Sequence, residues 1–209
     1  MTWSERAQLY RESEAHREGA DLDLVVKWSA GAEYALDVAT GGGHVARRLR
    51  EAGINVVSTD PAPGMQPDVI CRAEDLPFAD GSFDVVVIRV AAHQFEDVRV
   101  AVAEMARVSR DRVIVVDNLF LDERAEEADR VRDPSHVRNY SEAEWRELFE
   151  SAGLRVDEVR RFDKEIEVEP WLERAVTPAE DAERVRRLLA DRIQDGWIRL
   201  DRIAILGRK

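Results

Sequence analysis

Short apolar runs alternate with amphipathic helical patterns along most of the chain. The apolar runs end in glycine or polar residues, as strands do, and they lie at residues 33–39, 54–60, 82–90 and 111–118. The helical patterns occupy residues 43–53, 96–109 and 141–154. Runs that are apolar at successive positions indicate parallel strands covered on both faces. The alternation therefore predicts an α/β fold built on a doubly wound sheet.

Two later runs, residues 154–162 and 196–208, alternate apolar and polar positions. Such alternation favours a strand with one exposed face. We expect the last of these strands to join the sheet in antiparallel orientation, at or near an edge. The predicted sheet is therefore mostly parallel, with an antiparallel last strand.

The segment after the second strand is too short for the usual crossover connection. Only residues 61–67, PAPGMQP, separate Asp60 from the next apolar run. A parallel crossover needs about a dozen residues and usually contains a helix, and three prolines forbid a helix here. We predict that the helix after the second strand is missing and that the third strand is short, displaced or loosely paired at the sheet edge.

Composition and charge narrow the classes of function. A length of 209 residues favours a single domain spanning 1–209, and the formal net charge of −12 disfavours nucleic acid as a partner, because acidic surfaces repel phosphates. There is no apolar run of about 18 residues, so no membrane span is predicted. The single cysteine, Cys71, cannot form an internal disulfide, so we expect a cytoplasmic protein.

The stretch ALDVATGGGHVARRL, residues 35–49, joins a strand to a helix through three glycines. Main-chain N–H groups and the positive end of a helix meet ligands at such junctions, and Gly41 and Gly43 allow a tight turn. The second strand ends about twenty residues later in Asp60, whose carboxylate can accept both hydrogen bonds of a ribose diol. We therefore expect a nucleoside ligand, with a plain flexible turn as the alternative.

The spacing Gly41-x-Gly43-x-x-Ala46 also satisfies the dinucleotide fingerprint. A nicotinamide-dependent oxidoreductase is therefore a second interpretation. Asp37 argues against it, because an acid four residues before Gly41 repels a pyrophosphate and favours a cationic or amino-bearing ligand. The residues further along the chain then distinguish the two.

Residues 73–95 read AEDLPFADGSFDVVVIRVAAHQF. This segment resembles the class I S-adenosylmethionine-dependent methyltransferases, and among them the small-molecule branch related to the ubiquinone and menaquinone C-methyltransferases. The resemblance extends to LDVATGGGH, to Asp60, to the E-x-x-RV ending of the helix over 96–109 and to residues 132–154. It implies a Rossmann-like fold, with S-adenosyl-L-methionine as the cofactor.

The resemblance also implies roles for eight residues of a cofactor site. Asp37, Gly41 and Gly43 would surround the methionine part, with Ala39 in the same loop; Asp60 would hold the ribose hydroxyls; Ala73 and Glu74 would lie beside the adenine; and Arg89 would lie near the methionine end and the acceptor. Arg72 departs from the family, which usually has an aspartate at this position to accept a hydrogen bond from the adenine amino group. A guanidinium cannot accept a hydrogen bond, so Arg72 cannot take that role. SRDR, residues 109–112, replaces the PGG turn of the family, and we expect a different tight turn there.

Methyl transfer from a sulfonium needs an aligned nucleophile and, for some acceptors, a base. His93 follows the fourth strand at the sheet rim, and His136 lies in a loop expected to cover the site, so both are candidate catalytic bases. Packing or loop anchoring is the alternative for each. His44 is expected to pack or to contact the cofactor, and His16 is predicted to be exposed. The histidines do not stand at ligand spacing with cysteines or carboxylates, so no metal site is predicted.

These observations together predict S-adenosylmethionine-dependent methyl transfer to a small-molecule acceptor, by a monomer or homodimer. The N-terminal helices within residues 1–30 and the segments 120–142 and 164–195 would cover the site. One alternative is a non-catalytic binding or regulatory module on the same fold, which Arg72 and the missing helix favour. The nicotinamide-dependent oxidoreductase is the less favoured alternative.

Overall fold

The computed structural model describes residues 2–209. In chain order the helices and strands are α1 (Trp3–Glu12), α2 (Glu14–Arg17), α3 (Ala20–Trp28), β1 (Tyr34–Val38), α4 (His44–Glu51), β2 (Asn55–Asp60), β3 (Val69–Ile70), β4 (Phe83–Arg89), α5 (Val98–Val108), β5 (Ser109–Asn118), α6 (Glu123–Arg132), α7 (Glu142–Ser151), β6 (Arg155–Glu167), α8 (Val168–Ala175), α9 (Ala179–Leu188), β7 (Ile193–Gln194) and β8 (Trp197–Arg208). Within this range, no helix is long and apolar enough to cross a membrane.

The strands form one eight-stranded sheet with the order β3-β2-β1-β4-β5-β8-β6, and β7 pairs with β8. Strands β1 to β5 pair in parallel, whereas β8 runs antiparallel to both β5 and β6. The predicted Rossmann-like, mostly parallel sheet with an antiparallel last strand is confirmed. The last strand lies one position in from the edge, because β6 occupies the edge itself.

Both faces of the sheet are covered, as the continuous apolar strands predicted. Alternate residues of β4 face opposite sides, so Val85 and Val87 pack towards α3 and α4, whereas Val86 and Ile88 pack towards α5 and α7. Leu22 in α3 is fully buried in the first of these layers. The part of the predicted N-terminal cover that forms α3 therefore belongs to the core, and only α1 and α2 lie over the end of the sheet.

The predicted loss of the helix after β2 is confirmed. A single 3-10 turn, Pro63–Met65, replaces it, and β3 has two residues that pair with the end of β2. Helix α1 packs on this turn, where Ser4 Oγ accepts the N–H of Gly64 at 3.0 Å and Arg11 Nη1 donates to the carbonyl of Gly64 at 3.0 Å. Ile70 of β3 is 60% exposed, as expected for a short edge strand.

The expectation of a tight turn at residues 109–112 is wrong. Helix α5 ends at Val108, and β5 begins at the next residue. A shift in register between β4 and β5 accommodates the additional residue, because Phe83 pairs with Ser109 whereas Val85 pairs with Arg112. The family's turn is thus replaced by an irregular start to the strand.

The segments predicted to cover the site form a hydrophobic cluster of their own. Helices α6, α8 and α9 pack together with the ends of β6 and β8, and Trp171, Leu172 and Val185 are buried at the centre. This cluster is separate from the two layers that cover the sheet. It therefore forms an additional layer of the fold, next to the end of the sheet where Asp117 and Asn118 close β5.

Candidate active site

A cavity of about 350 Å³ lies where β1, β2 and β4 end, and residues of α1 and α2 form its opposite wall. Small-molecule sites usually measure about 300–1,000 Å³, and in open α/β sheets they form at the carboxyl ends of the strands. Seven of the eight residues predicted for a cofactor site line it: Asp37, Ala39, Gly41, Asp60, Ala73, Glu74 and Arg89. The eighth, Gly43, caps the start of α4, and Gly42 lines the cavity instead.

Asp37 is buried in β1, and its carboxylate organises the glycine loop. Oδ2 accepts hydrogen bonds from the hydroxyl of Thr40 at 2.5 Å and from the N–H of Ala46 at 3.0 Å. Burial raises the pKa of Asp37 to about 7, although both hydrogen bonds and the charge of Arg89 act in the opposite direction. A cationic ligand group that approached this carboxyl would therefore favour its ionised form near neutral pH.

Asp60 closes the glycine loop from the side of β2. Its Oδ2 accepts the N–H of Gly41 at 3.0 Å, and its Oδ1 accepts the N–H of Ala62 at 2.9 Å. Each carboxylate oxygen can accept a further hydrogen bond, and the side chain lines the cavity. Burial raises the pKa of Asp60, with the two N–H groups acting against the shift. Only acceptor capacity on the carboxylate is left for a ligand, and the predicted hydrogen bonds to a ribose diol would use it.

Helix α1 lies directly on the glycine loop. His44 Nε2 donates to the main-chain carbonyl of Tyr10 at 3.0 Å, which joins α1 to the first residue of α4. A Cβ at position 42 would lie 2.7 Å from both of these atoms. The close approach of α1 therefore requires glycine at this position.

The rim at Arg72 carries the departure from the family pattern. Arg72 Nη2 lies 3.3 Å from Glu74 Oε1 and 3.0 Å from Glu96 Oε2, so two acids balance its charge. Glu74 Oε1 also accepts the N–H of Glu96 at 3.1 Å. Ala73 lies beside these groups as a buried apolar part of the wall. The cavity wall therefore carries a guanidinium at the position where the family usually has an aspartate.

Arg89 lines the cavity at the end of β4 and is bound by the N-terminal segment. Its Nη2 lies 2.6 Å from Asp21 Oδ2, and its Nε donates to the same oxygen at 2.7 Å. Its Nη1 donates to the carbonyl of His16 at 3.0 Å. The predicted cofactor residue is therefore also the link between the sheet and α2.

The two histidines predicted as catalytic bases are not among the residues that line the cavity. After β4 the chain turns at Val90, which has a φ of 55°, and His93 Nδ1 donates to Asp117 Oδ1 at 2.7 Å. His136 Nε2 donates to Glu126 Oε2 at 3.1 Å, and the two rings lie 5.5 Å apart. Because the carboxylates hold both rings in the interior, this geometry favours anchoring. A catalytic role for either ring stays a prediction.

Helix α6 and the loop after it bring together Glu126, Asp129 and His136, whose potential ligand atoms all lie within 4.8 Å of one another. Sequence spacing did not indicate this group, because Glu126 and His136 are ten positions apart and only the fold of the loop after α6 brings them together. Glu126 accepts hydrogen bonds from His136 and from the N–H of Asn139, and Asp129 accepts one from the Asn139 amide. Since these oxygens are engaged by protein donors, we interpret the group as an anchor for the loop.

The expectation that His16 is exposed is wrong. His16 is half-buried and lines the cavity, with its ring 5.7 Å from that of Tyr10. Its Nδ1 lies 2.9 Å from Ser13 Oγ, at the break between α1 and α2, and within residues 2–209 its Nε2 has no hydrogen-bond partner. Burial, together with nearby cations, lowers the pKa of His16 well below its ordinary value. The ring is therefore neutral at neutral pH.

Comparison with known proteins agrees with this geometry. The family described as "Methyltransferase domain" matches residues 36–116. The uncharacterized methyltransferase YcgJ of Bacillus subtilis is 34% identical over 202 residues, which cover 85% of this chain and 80% of that protein. A demethylmenaquinone methyltransferase of Beutenbergia cavernae is 39% identical over 88 residues, 37% of each chain.

Solved structures extend the comparison to the whole fold. The crystal structure of YcgJ has a TM-score of 0.82 at 29% identity and covers 90% of this chain and 97% of that chain. The structure of BH2331 from Bacillus halodurans has a TM-score of 0.79 at 28% identity, with 91% and 99% covered. The chain therefore belongs to the class I S-adenosylmethionine-dependent methyltransferases and is a methyltransferase enzyme. The oxidoreductase and the non-catalytic module are not supported.

Proposed function

We propose that the cavity beneath α1 binds S-adenosylmethionine and that the enzyme methylates a small-molecule acceptor there. The observation that carries this proposal is the position of Asp60, which faces the glycine loop across the ends of β1 and β2 with acceptor capacity left on both oxygens. The volume of about 350 Å³ suits a ligand of nucleoside size.

In this proposal, different residues of the cavity bind different parts of the cofactor. Asp60 holds the ribose hydroxyls, because its carboxylate can accept from both at once. Asp37 lies near the amino group, since a buried acid favours a cationic neighbour. Arg72, Ala73 and Glu74 surround the adenine, and no acid takes the family's aspartate position, so recognition there relies on Glu74 and main-chain groups.

S-adenosylmethionine supplies a methyl group on a positively charged sulfur, so the protein has to align the acceptor and, where the acceptor carries a proton, remove it. His16 is placed for that proton, because its ring lines the cavity and has a free Nε2 within the described chain. Its lowered pKa keeps the ring unprotonated at neutral pH and at the same time makes it a weaker proton acceptor than an ordinary histidine. We propose His16 as the base that meets the acceptor. His93 and His136 would then position the chain after β4 and the loop after α6.

We expect the acceptor to be a small molecule and not a polymer. Helices α1 and α2 lie over the cavity, and the net charge of −12 opposes binding of nucleic acid. We propose that α1 and α2 exclude water from the cavity during transfer, and that the segments 120–142 and 164–195 support them through the packing of α8 on α1. The single cysteine is compatible with a reducing compartment, so we place the reaction in the cytoplasm, carried out by a monomer or homodimer.

Calorimetric titration with S-adenosylmethionine and S-adenosylhomocysteine tests the proposal. We expect micromolar binding by the wild type and binding weaker by about 100-fold in Asp60→Ala, because two charge-assisted hydrogen bonds are lost. Glu147→Ala, an exposed acid of α7, is the matched control and should bind as the wild type does. Thermal unfolding of both variants shows whether they fold. Absence of binding by a folded wild type, or tighter binding of a nicotinamide dinucleotide, contradicts the proposal.

A further inference from the structure

A second cavity, of about 480 Å³, lies outside the candidate active site and shares no residue with it. Residues of α1, α2, β6, α8 and β8 line it, and its volume is within the range of small-molecule sites. We call it the glutamate groove, because five of its residues are exposed glutamates: Glu12, Glu14, Glu165, Glu167 and Glu173.

The charge of these glutamates is almost wholly uncompensated by the protein. Glu12 accepts a hydrogen bond from Gln8, whereas the other four carboxylates have neither a hydrogen bond nor an ion pair with any group of the described chain. Exposed acids are common on a protein with a net charge of −12, so the glutamates alone do not identify a ligand. They do determine that the entrance of the groove attracts cations and repels simple anions.

Arg174, from α8, lines the same groove but is buried, with only 8% of its surface exposed. Its guanidinium has no hydrogen bond or ion pair with any of residues 2–209, yet its nitrogens are not sealed from solvent, and the side chain opens into the groove. Burial lowers the pKa of Arg174 to about 10, and the nearby charge of Arg132 acts in the same direction. An unpaired buried cation is costly, so Arg174 requires an anion that the described chain does not supply.

The groove also has exposed apolar surface. Trp197, at the start of β8, is 46% exposed, and Leu9 of α1 is 38% exposed. The face of an indole ring attracts ammonium and guanidinium groups, and this attraction acts in the same direction as that of the glutamates. The groove therefore combines a buried site for an anion with an exposed aromatic and acidic site for a cation.

A ligand with only one kind of charge does not satisfy both sites. A simple anion is repelled by the glutamates, and a simple cation leaves Arg174 unpaired. We propose that the groove binds a small zwitterion with a carboxylate at one end and an ammonium or guanidinium group at the other, as in lysine and arginine. The carboxylate would pair with Arg174 through two parallel hydrogen bonds, and the cationic end would lie against Trp197 and the glutamates.

The groove lies on the other side of the junction between α1 and α2 from the active-site cavity. Ser13 lines the groove, and its hydroxyl lies 2.9 Å from Nδ1 of His16, whose ring lines the cavity. A bound zwitterion would therefore join α8 and β8 to the segment that carries His16. The inference itself rests on neither the cofactor nor the acceptor, because the two cavities have no residue in common.

Calorimetric titration of the full chain with L-arginine and L-lysine tests the proposal. We expect saturable binding of at least one of them to the wild type. For the amino acid that binds, Arg174→Gln should weaken the affinity by about 10- to 100-fold, because a charge-assisted pair of hydrogen bonds is lost. Arg155→Gln, which removes an exposed arginine of β6, is the matched control and should bind as the wild type does.

Decarboxylated probes isolate the contact with Arg174. Agmatine and cadaverine are arginine and lysine without the carboxylate, so Arg174→Gln should bind them at least as well as the wild type does. Glu165→Gln combined with Glu173→Gln should weaken the amino acid and its decarboxylated form alike, whereas Glu147→Gln, at an exposed acid of α7, should weaken neither. A free amino acid and the C-terminal residue of a peptide present the same chemistry, and Nα-acetylated arginine and lysine distinguish them, because only a peptide terminus has an acylated α-nitrogen.

Absence of saturable binding of both amino acids up to about 10 mM overturns the proposal, as does an equal loss of affinity for the amino acid and its decarboxylated form in Arg174→Gln. Without ligand, the Tm of Arg174→Gln should be at or above that of the wild type, since no protein partner is lost. A clear fall in Tm assigns the guanidinium a structural role and contradicts the proposal. Trp197→Phe, at an exposed position, is a second variant: it should fold and bind the amino acid more weakly, and unchanged affinity excludes the proposed position of the cationic end.

Discussion

Arg89, the last residue of β4, donates a hydrogen bond from Nη1 to the main-chain carbonyl of His16, 3.0 Å away in α2. The same guanidinium is paired with Asp21 at the start of α3. The end of the sheet therefore determines where the N-terminal segment lies, and with it the position of the His16 ring over the cavity. His16, which lies in the N-terminal segment, thereby forms part of the wall of the candidate active site.

His16→Gln should lower kcat by about 100-fold, the usual effect of losing a general base. It should change the affinity for S-adenosylhomocysteine by less than about threefold, because glutamine can still bond to Ser13 and the Asp60 contacts remain. The measurement is release of S-adenosylhomocysteine with the first small-molecule acceptor that turns over. His93→Gln is the comparison, and a larger loss of kcat in that variant would return the catalytic role to His93.

Affinity for S-adenosylmethionine should rise with pH up to about 7 and then level off. Burial raises the pKa of Asp37 to about 7, so below that pH the carboxyl is protonated and an ammonium group has to displace the proton. We expect about a tenfold gain for each pH unit below 7. Calorimetry between pH 5.5 and 7.5 measures it. Asp37→Asn should bind more weakly with a flatter profile, and a parallel profile would assign the pH dependence to another group.

The contribution of His93 to stability should decrease as pH rises. Burial lowers the pKa of His93, but the charge and the hydrogen bond of Asp117 raise it by more, so the folded value lies above the unfolded one. The stabilisation is then complete below about pH 6.5, the unfolded pKa, and is lost as pH rises through the folded pKa. Urea unfolding of wild type and His93→Gln at pH 6 and pH 9 should show the larger difference in free energy of unfolding at pH 6.

His44 provides a control of opposite sign for that experiment. Burial lowers the pKa of His44, with its hydrogen bond to Tyr10 acting against the shift. Any stabilisation by His44 is therefore present at high pH and lost as pH falls. If the loss of unfolding free energy in His93→Gln and in His44→Gln changes with pH in the same direction, the opposite pKa shifts assigned to the two rings are wrong.

Gly42→Ala should separate α1 from the glycine loop. The new Cβ would lie 2.7 Å from the carbonyl oxygen of Tyr10, a main-chain atom that cannot move aside alone. We expect a loss of stability of about 1–3 kcal/mol, as for other overpacked sites, and weaker binding of S-adenosylhomocysteine. Gly207→Ala is the matched control, since its Cβ would meet Phe149 in the core at 2.5 Å. It should lose stability without losing affinity, and equal losses of affinity would contradict the role of α1.

The parts of the fold that depend on local chemistry could be predicted from sequence. Prolines in the segment after Asp60 excluded a helix whatever the rest of the chain did, and the structure has only a 3-10 turn at Pro63–Met65. The glycine loop and Asp60 could be placed in one cavity because parallel strands end at the same edge.

The parts that depend on contacts between distant residues could not be predicted in this way. His16 lies in a charged, weakly amphipathic stretch, and its burial comes from Arg89 and Lys164, which are 73 and about 150 positions away. His93 was expected in the cavity from its place after β4, but a residue with positive φ, Val90, precedes it by three positions, and Asp117 binds the ring. Side-chain direction after a strand depends on such turns and partners.

The hydrogen bonds that fasten α1 also bear on the rate of turnover. Hydrogen bonds of Ser4, Tyr10 and Arg11 hold this helix across the cavity. On the proposed function, S-adenosylhomocysteine leaves only after these hydrogen bonds break. Motions of this kind take microseconds to milliseconds, and in many enzymes product release is slower than the chemical step. We therefore expect a burst of methylated product in the first cycle, followed by a slower steady state whose speed is that of α1 lifting from the sheet.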